Sequence, residues 1–257
     1  MGSTEREDPI PSRTWGDSAG VKTLRRMATV DRYNRWVFEK LAGYLGDRVL
    51  EVGCGIGNMT PFLVCAQHVT CIDLLPESVA LVRKQFESDR RVHAFVTDIA
   101  DPESVAKLGQ SRYDTVVCIN VLEHIEHHVD ALRHMHDVLI PGGRILLFVP
   151  AGRYLYGRLD EALGHYRRYT LDSLCSVVRT QGFDIVEASY MNVAGIPGWF
   201  LSSRILRREA PPRGLLRLFN FFTPLFIWLE TRLRPPFGQS IICVARRVDE
   251  RPEPYHN

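Results

Sequence analysis

"RVLEVGCGIGNMT" (residues 48–60) is an apolar run that breaks into alternating glycines and then resumes as a helical pattern. Gly53, Gly55 and Gly57 let the backbone approach a ligand closely, and a strand–turn–helix opening points free amides toward that ligand. A dinucleotide fingerprint, G-x-G-x-x-G, would put its third glycine at position 58, where this chain has Asn58. The stretch is therefore either a ligand turn of another kind or a plain tight turn at a strand end, and its surroundings decide between the two.

On both sides, short apolar runs alternate with helical patterns. Strands are predicted at 48–52, 68–73, 92–97, 113–120, 143–150, 183–191 and 240–247, and helices near 57–66, 76–88, 101–109, 127–139 and 171–182. "TVDRYNRWVFEKLAGY" (29–44) adds an amphipathic helix with Tyr33, Trp36, Val37 and Leu41 at helical spacing. This alternation predicts an α/β fold, a doubly wound and mostly parallel sheet with helices on both faces. It forms one domain over 21–257, after a loosely attached segment at 1–20, and carries a helical insertion at 193–238 before the last strand. Ligands of open sheets bind beyond the carboxyl ends of the strands. Asp73, Asp98 and Asn120 end the second, third and fourth strands on that edge. Asp73 stands twenty residues after Gly53, where a carboxylate accepts hydrogen bonds from ribose hydroxyls. Each acid alone also suits a helix cap; order and spacing together favour a nucleoside-binding edge.

"VLEVGCGIGNMT", "CIDLLPES", "TDIA" and "YDTVVCINVLEHI" resemble, in order, the first four motifs of class I S-adenosylmethionine-dependent methyltransferases. "LRHMHDVLIPGGRILLFVP" resembles the helix, turn and strand that follow them, and the likeness covers about 30–190. It implies a Rossmann-like, seven-stranded sheet whose last strand, "SIICVARR", is antiparallel. It also implies S-adenosyl-L-methionine as cofactor and S-adenosyl-L-homocysteine as product. Gly53 and Gly55 would pass under the methionine and ribose, Asp73 would bind the ribose, Asp98 and Ile99 the adenine, and Asn120 the methionine end. Glu51, Cys54, Asn58, Leu74 and Val121 complete that cofactor set. "LYGRLDEALGHYRRYT" resembles a bacterial small-molecule subgroup.

Apolar residues make up 45% of 257, and the net charge is +2, so no global field favours nucleic acid. The strand-four tip reads "INVL", and no RNA-binding module is visible. The expected partner is a small molecule; an RNA or protein methyltransferase and a non-catalytic cofactor scaffold are the alternatives. Oligomeric state stays open. Cys54, Cys65, Cys71, Cys118, Cys175 and Cys243 include no CxxC pair, and the N-terminus has no apolar signal segment, so a cytoplasmic compartment is expected. "EHIEHH" (123–128) is not HExxH and has no second ligand cluster in sequence, so no metal is expected. Glu123 and His124 then line the pocket mouth, His127 and His128 start a helix in solvent, and His134 and His136 are surface residues. Residues 196–234 hold seven arginines, two glutamates and no lysine among many apolar side chains. They suit a lid with apolar residues inward, a peripheral membrane contact, or a clamp for an anionic substrate.

"GHYRRYT" (164–170) follows the fifth strand and so belongs to the same edge. Thr170 reads as a helix N-cap. His165 is the candidate catalytic base, and Arg167 or Arg168 a substrate clamp. Alternatively all three pair with Asp160 and Glu161 to hold the loop. Tyr33, Trp36, Tyr156 and Tyr169 complete the candidate substrate set, although Tyr33 and Trp36 equally suit a core-facing stripe.

Overall fold

The computed structural model describes residues 19–108, 113–208 and 210–248. The expectation for 1–18 lies outside them. Ala19 and Gly20, expected to be loose, instead open a helix, α1 (Ala19–Met27), whose Val21 is buried.

The remaining elements follow in order: α2 (Asp31–Ala42), β1 (Arg48–Val52), α3 (Thr60–Leu63), β2 (His68–Asp73), α4 (Pro76–Gln85), β3 (Val92–Val96), α5 (Pro102–Ala106), β4 (Tyr113–Ile119), α6 (His128–Val138), β5 (Leu139–Pro150), α7 (Arg158–Leu163), α8 (Leu171–Thr180), β6 (Phe183–Met191), α9 (Gly195–Phe200), α10 (Arg213–Leu233) and β7 (Ser240–Arg247). The seven strands form one sheet in the order β3-β2-β1-β4-β5-β7-β6. β1 pairs in parallel with β2 and with β4, so the strand order reverses between β1 and β4. Such a switch point opens a crevice beyond the strand ends. β7 runs antiparallel between β5 and β6.

The sheet separates two cores, and strand periodicity sorts residues between them. Leu50, Ile145, Leu147 and Cys243 face the core under α6 and α8. Val49, Leu146, Phe148 and Val244 face the core under α2 and α4. Trp36 is 1% exposed in the second core, beside the buried Tyr33. Both are therefore core residues, and the substrate role considered for them is corrected. His134 and His136 are buried as well: His134 Nδ1 bonds to Ile99 O at 2.8 Å, and the His136 ring packs edge-on against Phe183. Helical spacing alone had not shown which face of α6 meets the sheet.

The chain between β6 and β7 makes two different contacts. α9 and the π-helical turn after it (Leu201–Ile205) pack against α7 and the segment before it. α10 runs along α2. Its inner stripe is Leu216, Phe219, Thr223 and Ile227, and Phe219 meets the Tyr33 ring at 5.8 Å. Glu230 closes that stripe by accepting from the Asn192 and Val193 amides at 2.9 and 2.6 Å. Apolar residues pack inward along this stripe. Leu218, Phe221, Leu225, Trp228 and Leu233 are exposed.

Candidate active site

The glycine turn is braced from beneath. Gly53, Gly55 and Gly57 have φ of 71°, 53° and 82°, a region open to glycine at little cost. A Cβ on Gly53 would lie 2.3 Å from Val121 Cγ2, so turn and β4 tip touch directly. The amides are not free as expected. Gly53 and Cys54 N–H both donate to Ile72 O, Gly57 N–H donates to Cys54 O, and Gly55 N–H donates to Asp73 Oδ2. A turn with its amides so engaged is ill suited to phosphate. Glu51 is buried, accepting from Thr60 Oγ1 at 2.7 Å and Cys71 Sγ at 3.3 Å, and burial pushes its carboxyl up to about 7. It supports the turn and does not face a ligand. Cys54 and Ile99 are buried in the two cores, and the Asn58 amide is engaged by Leu24 O of α1 at 2.9 Å. Glu51 and Asn58 are corrected from cofactor contacts to framework, while the burial of the Cys54 and Ile99 side chains leaves only backbone contact open to those two. Space above Gly55 is bounded by Leu24, 3.2 Å from an added Cβ, so α1 walls the turn.

What faces the crevice is carboxylate, amide and apolar surface. Asp73 Oδ2 accepts from Gly55 N and Oδ1 from Leu75 N at 2.9 Å, with the Leu74 amide also near the carboxylate; a carboxylate has about four lone-pair sites, so accepting capacity remains for a hydroxyl. Burial raises its pKa. Leu74 beside it is exposed. Asp98 Oδ1 accepts from Ala100 N at 2.7 Å. Asn120 is exposed at the β4 tip and holds φ 52°, an uncommon backbone for a non-glycine residue. A hydroxyl acceptor at Asp73, an apolar face and no amide nest fit a nucleoside without phosphate, as in S-adenosylmethionine.

Across the crevice, α7 and the loop after it carry the second half. Gly164 ends α7 at φ 75°, and Thr170 caps α8 by accepting from Ser173 N. Asp160 is fully buried. Its Oδ1 meets His165 Nδ1 at 2.8 Å and accepts from Arg168 Nε at 2.7 Å; those partners outweigh burial and hold its pKa low. Arg168 also donates to Ala151 O and stacks 4.8 Å from Trp199. Arg167 donates to Ile125 O and Glu126 O. Tyr156 donates to His165 O, and the buried Tyr169 hydroxyl meets His128 Nδ1 at 2.8 Å. Arg167, Arg168, Tyr156 and Tyr169 therefore hold the loop, which corrects their expected substrate role. Guanidinium forks satisfy buried carbonyls as readily as phosphates.

His165 remains. It is buried, with Nδ1 fixed by Asp160 and Nε2 at 3.9 Å from Glu123 Oε1. The His124 ring stands edge-on to it, centroids 4.6 Å apart. Glu123 is 0% exposed, and no hydrogen-bond partner meets either carboxylate oxygen, although its own backbone N–H and the His165 ring lie near. Burial pushes Glu123 up to about 7. His124 opens to the crevice, yet packing around its ring, together with His165, brings it down to about 4. Asp160, five residues before His165, is the member of this group that sequence reading had placed only as a loop anchor.

A ubiquinone biosynthesis O-methyltransferase of Aeromonas salmonicida is 24% identical over 213 residues, 75% of this chain and 85% of that protein. A tRNA N(3)-methylcytidine methyltransferase of Schizosaccharomyces pombe is 33% identical, over 104 residues that cover only 38% of this chain and 42% of that protein. The magnesium protoporphyrin IX methyltransferase of Synechocystis, solved with S-adenosylhomocysteine bound, shares the fold with a TM-score of 0.56, 17% identity and coverage of 91% and 97%. The Methyltransferase domain family matches residues 23–188, from α1 through most of β6, and the chain belongs to that family of S-adenosylmethionine-dependent methyltransferases.

Proposed function

We propose that this enzyme methylates a hydroxyl of a small, lipophilic acceptor. S-adenosylmethionine, when bound, supplies an electrophilic methyl group on a sulfonium. Asp73 and Leu74 would hold the adenosine half, with Asp98 near the base and Asn120 and Val121 at the methionine end. The protein's remaining task is to orient the acceptor and dispose of its proton. The observation that carries the reading is the Asp160–His165 pair. Asp160 fixes the imidazole through Nδ1 and leaves Nε2 directed at Glu123 and His124. A hydroxyl nucleophile needs such a proton acceptor, whereas an amine arriving neutral does not. The likeness to O-methyltransferases of ubiquinone biosynthesis supports the same acceptor class.

A second observation bears on where the acceptor is met. The outer face of α10 leaves Phe221 67% and Trp228 51% exposed. Arg204, Arg207, Arg208, Arg213, Arg217, Arg232 and Arg234 are exposed around it. Basic flanks with an apolar, Trp-bearing face suit the surface of an anionic bilayer. Phe200, Leu201 and Ile205 extend this surface toward α7 and the His165 loop. No helix among the described residues is long and apolar enough to cross a membrane. We read the contact as peripheral, delivering a lipid-borne acceptor. Methyl-labelled cofactor incubated with a host lipid extract tests the function. His165→Ala should lower turnover by roughly 10²–10⁴-fold with cofactor affinity unchanged. Label recovered in tRNA or protein, or full turnover by the variant, refutes the proposal.

A further inference from the structure

We infer that Glu123, His124 and His165 bind a divalent transition-metal cation of the zinc type at the acceptor end of the crevice. One ligand atom from each residue lies within 4.8 Å of the other two. The donor set is two imidazoles and one carboxylate, which suits zinc and its first-row neighbours better than magnesium, a cation that prefers oxygen and retains water. Distance alone would not make this a site. The second observation is Glu123, a fully buried carboxylate neither of whose oxygens has a hydrogen-bond partner, with one oxygen in the cluster beside the His165 ring. Buried polar atoms almost always find a partner, and leaving one without is costly. A cation between Glu123 and the two rings supplies the partner for the oxygen it binds.

The surroundings are those of a ligand shell. Metal-bound histidines usually donate their second N–H to a carboxylate or a carbonyl. His165 Nδ1 is fixed by Asp160, which Arg168 and Gly157 N hold in turn, so Nε2 is the nitrogen turned inward. Three protein ligands with one side open to the crevice match a catalytic more than a structural metal centre. The cluster spans two distant segments, 123–124 and 165, which is why no metal pattern appears along the chain.

The inference deepens the proposed function and rests on its placing of the acceptor; it changes His165 from a direct base to a ligand of an ion that would lower the pKa of the acceptor hydroxyl, so that the proton passes to water at the open side as the oxygen takes the methyl group. The test uses the full chain, stripped with chelator and titrated with Zn²⁺ by calorimetry, with Co²⁺ followed by its visible absorption and Mg²⁺ as control. One equivalent of Zn²⁺ should bind per chain, and Co²⁺ should give the intense bands of a four- or five-coordinate site. Glu123→Gln and His165→Ala should each weaken Zn²⁺ binding by roughly 10–100-fold or more, while His68→Ala, at an exposed position, should not. His124→Gln, facing the crevice, is the variant least disturbing to folding and should show the same loss. No stoichiometric binding, or binding unchanged in all three ligand variants, overturns the inference. Methylation that persists in chelator but fails in His165→Ala overturns the metal and leaves the hydroxyl reading intact. Zn²⁺ binding by a chain that methylates no hydroxyl sustains the site and overturns that reading instead.

Discussion

Gly53 and Glu51 show how little room the turn leaves a side chain. Gly53→Ala places a methyl 2.3 Å from Val121 Cγ2 on a backbone at φ 71°. The left-handed backbone alone costs about 1–2 kcal/mol, and relieving the clash moves Val121 and the β4 tip. Titration calorimetry should find cofactor affinity lowered at least tenfold, with a lower Tm; wild-type affinity would refute this packing argument. Glu51 yields a pH prediction. Its folded pKa, raised by burial from 4.5 to about 7, exceeds the unfolded value. The folded state thus binds more protons between those values, and stability falls as pH rises from 4.5 to 7, by roughly 2–3 kcal/mol, then levels off. Glu51→Gln keeps the acceptor for Thr60 and removes the titration. Urea unfolding of the cofactor-free protein at pH 5 and pH 8 should show that the variant loses less stability than wild type over this interval. Equal losses would place the Glu51 pKa near its ordinary value.

At the scale of elements, α7 with its loop and α10 each turn a sequence motif to a different end. In the α7 loop, Asp160 compensates Arg168 where both are buried. Asp160→Ala strands that cation and should destabilise by about 3–5 kcal/mol, read as a lower denaturation midpoint; a midpoint unchanged from wild type would mean the pair is not buried. In α10 the two faces separate in experiment. Phe219 packs on Tyr33, so Phe219→Ser should cost about 1–3 kcal/mol. Phe221→Ser with Trp228→Ser should leave the midpoint within about 0.5 kcal/mol yet reduce flotation on phosphatidylserine vesicles. Vesicle binding that is absent in wild type, or undiminished in the double variant, removes the membrane contact. Periodicity alone could not assign these faces, because residues 213–233 are apolar on nearly all sides and only packing against α2 distinguishes the inner stripe.

In the molecule as a whole, the cofactor crevice joins parts that fold from distant segments: α1, the β1 and β4 tips and the α7 loop. Ligand binding should therefore stabilise the entire domain. At a hundredfold excess of S-adenosylhomocysteine over its Kd, the gain is about 2.7 kcal/mol, measurable as a Tm shift that Asp73→Ala diminishes. No shift would contradict the cofactor assignment. The strand positions and the acids at the strand ends were legible along the chain, since period-two burial, glycine turns and strand-end residues are local properties; the antiparallel last strand was expected from the family resemblance, and the strand order is read from the folded sheet. The amino-acid sequence thus determined the sheet, the family and the edge where the cofactor binds. Tertiary structure alone decided which polar residues are free to act. Arg167, Arg168, Tyr156 and Asn58 offer the same donors in sequence whether they meet a substrate or a buried carbonyl, and only the packed chain supplies those carbonyls. It likewise brings His165 to Glu123 across forty-two residues, a distance no local pattern spans.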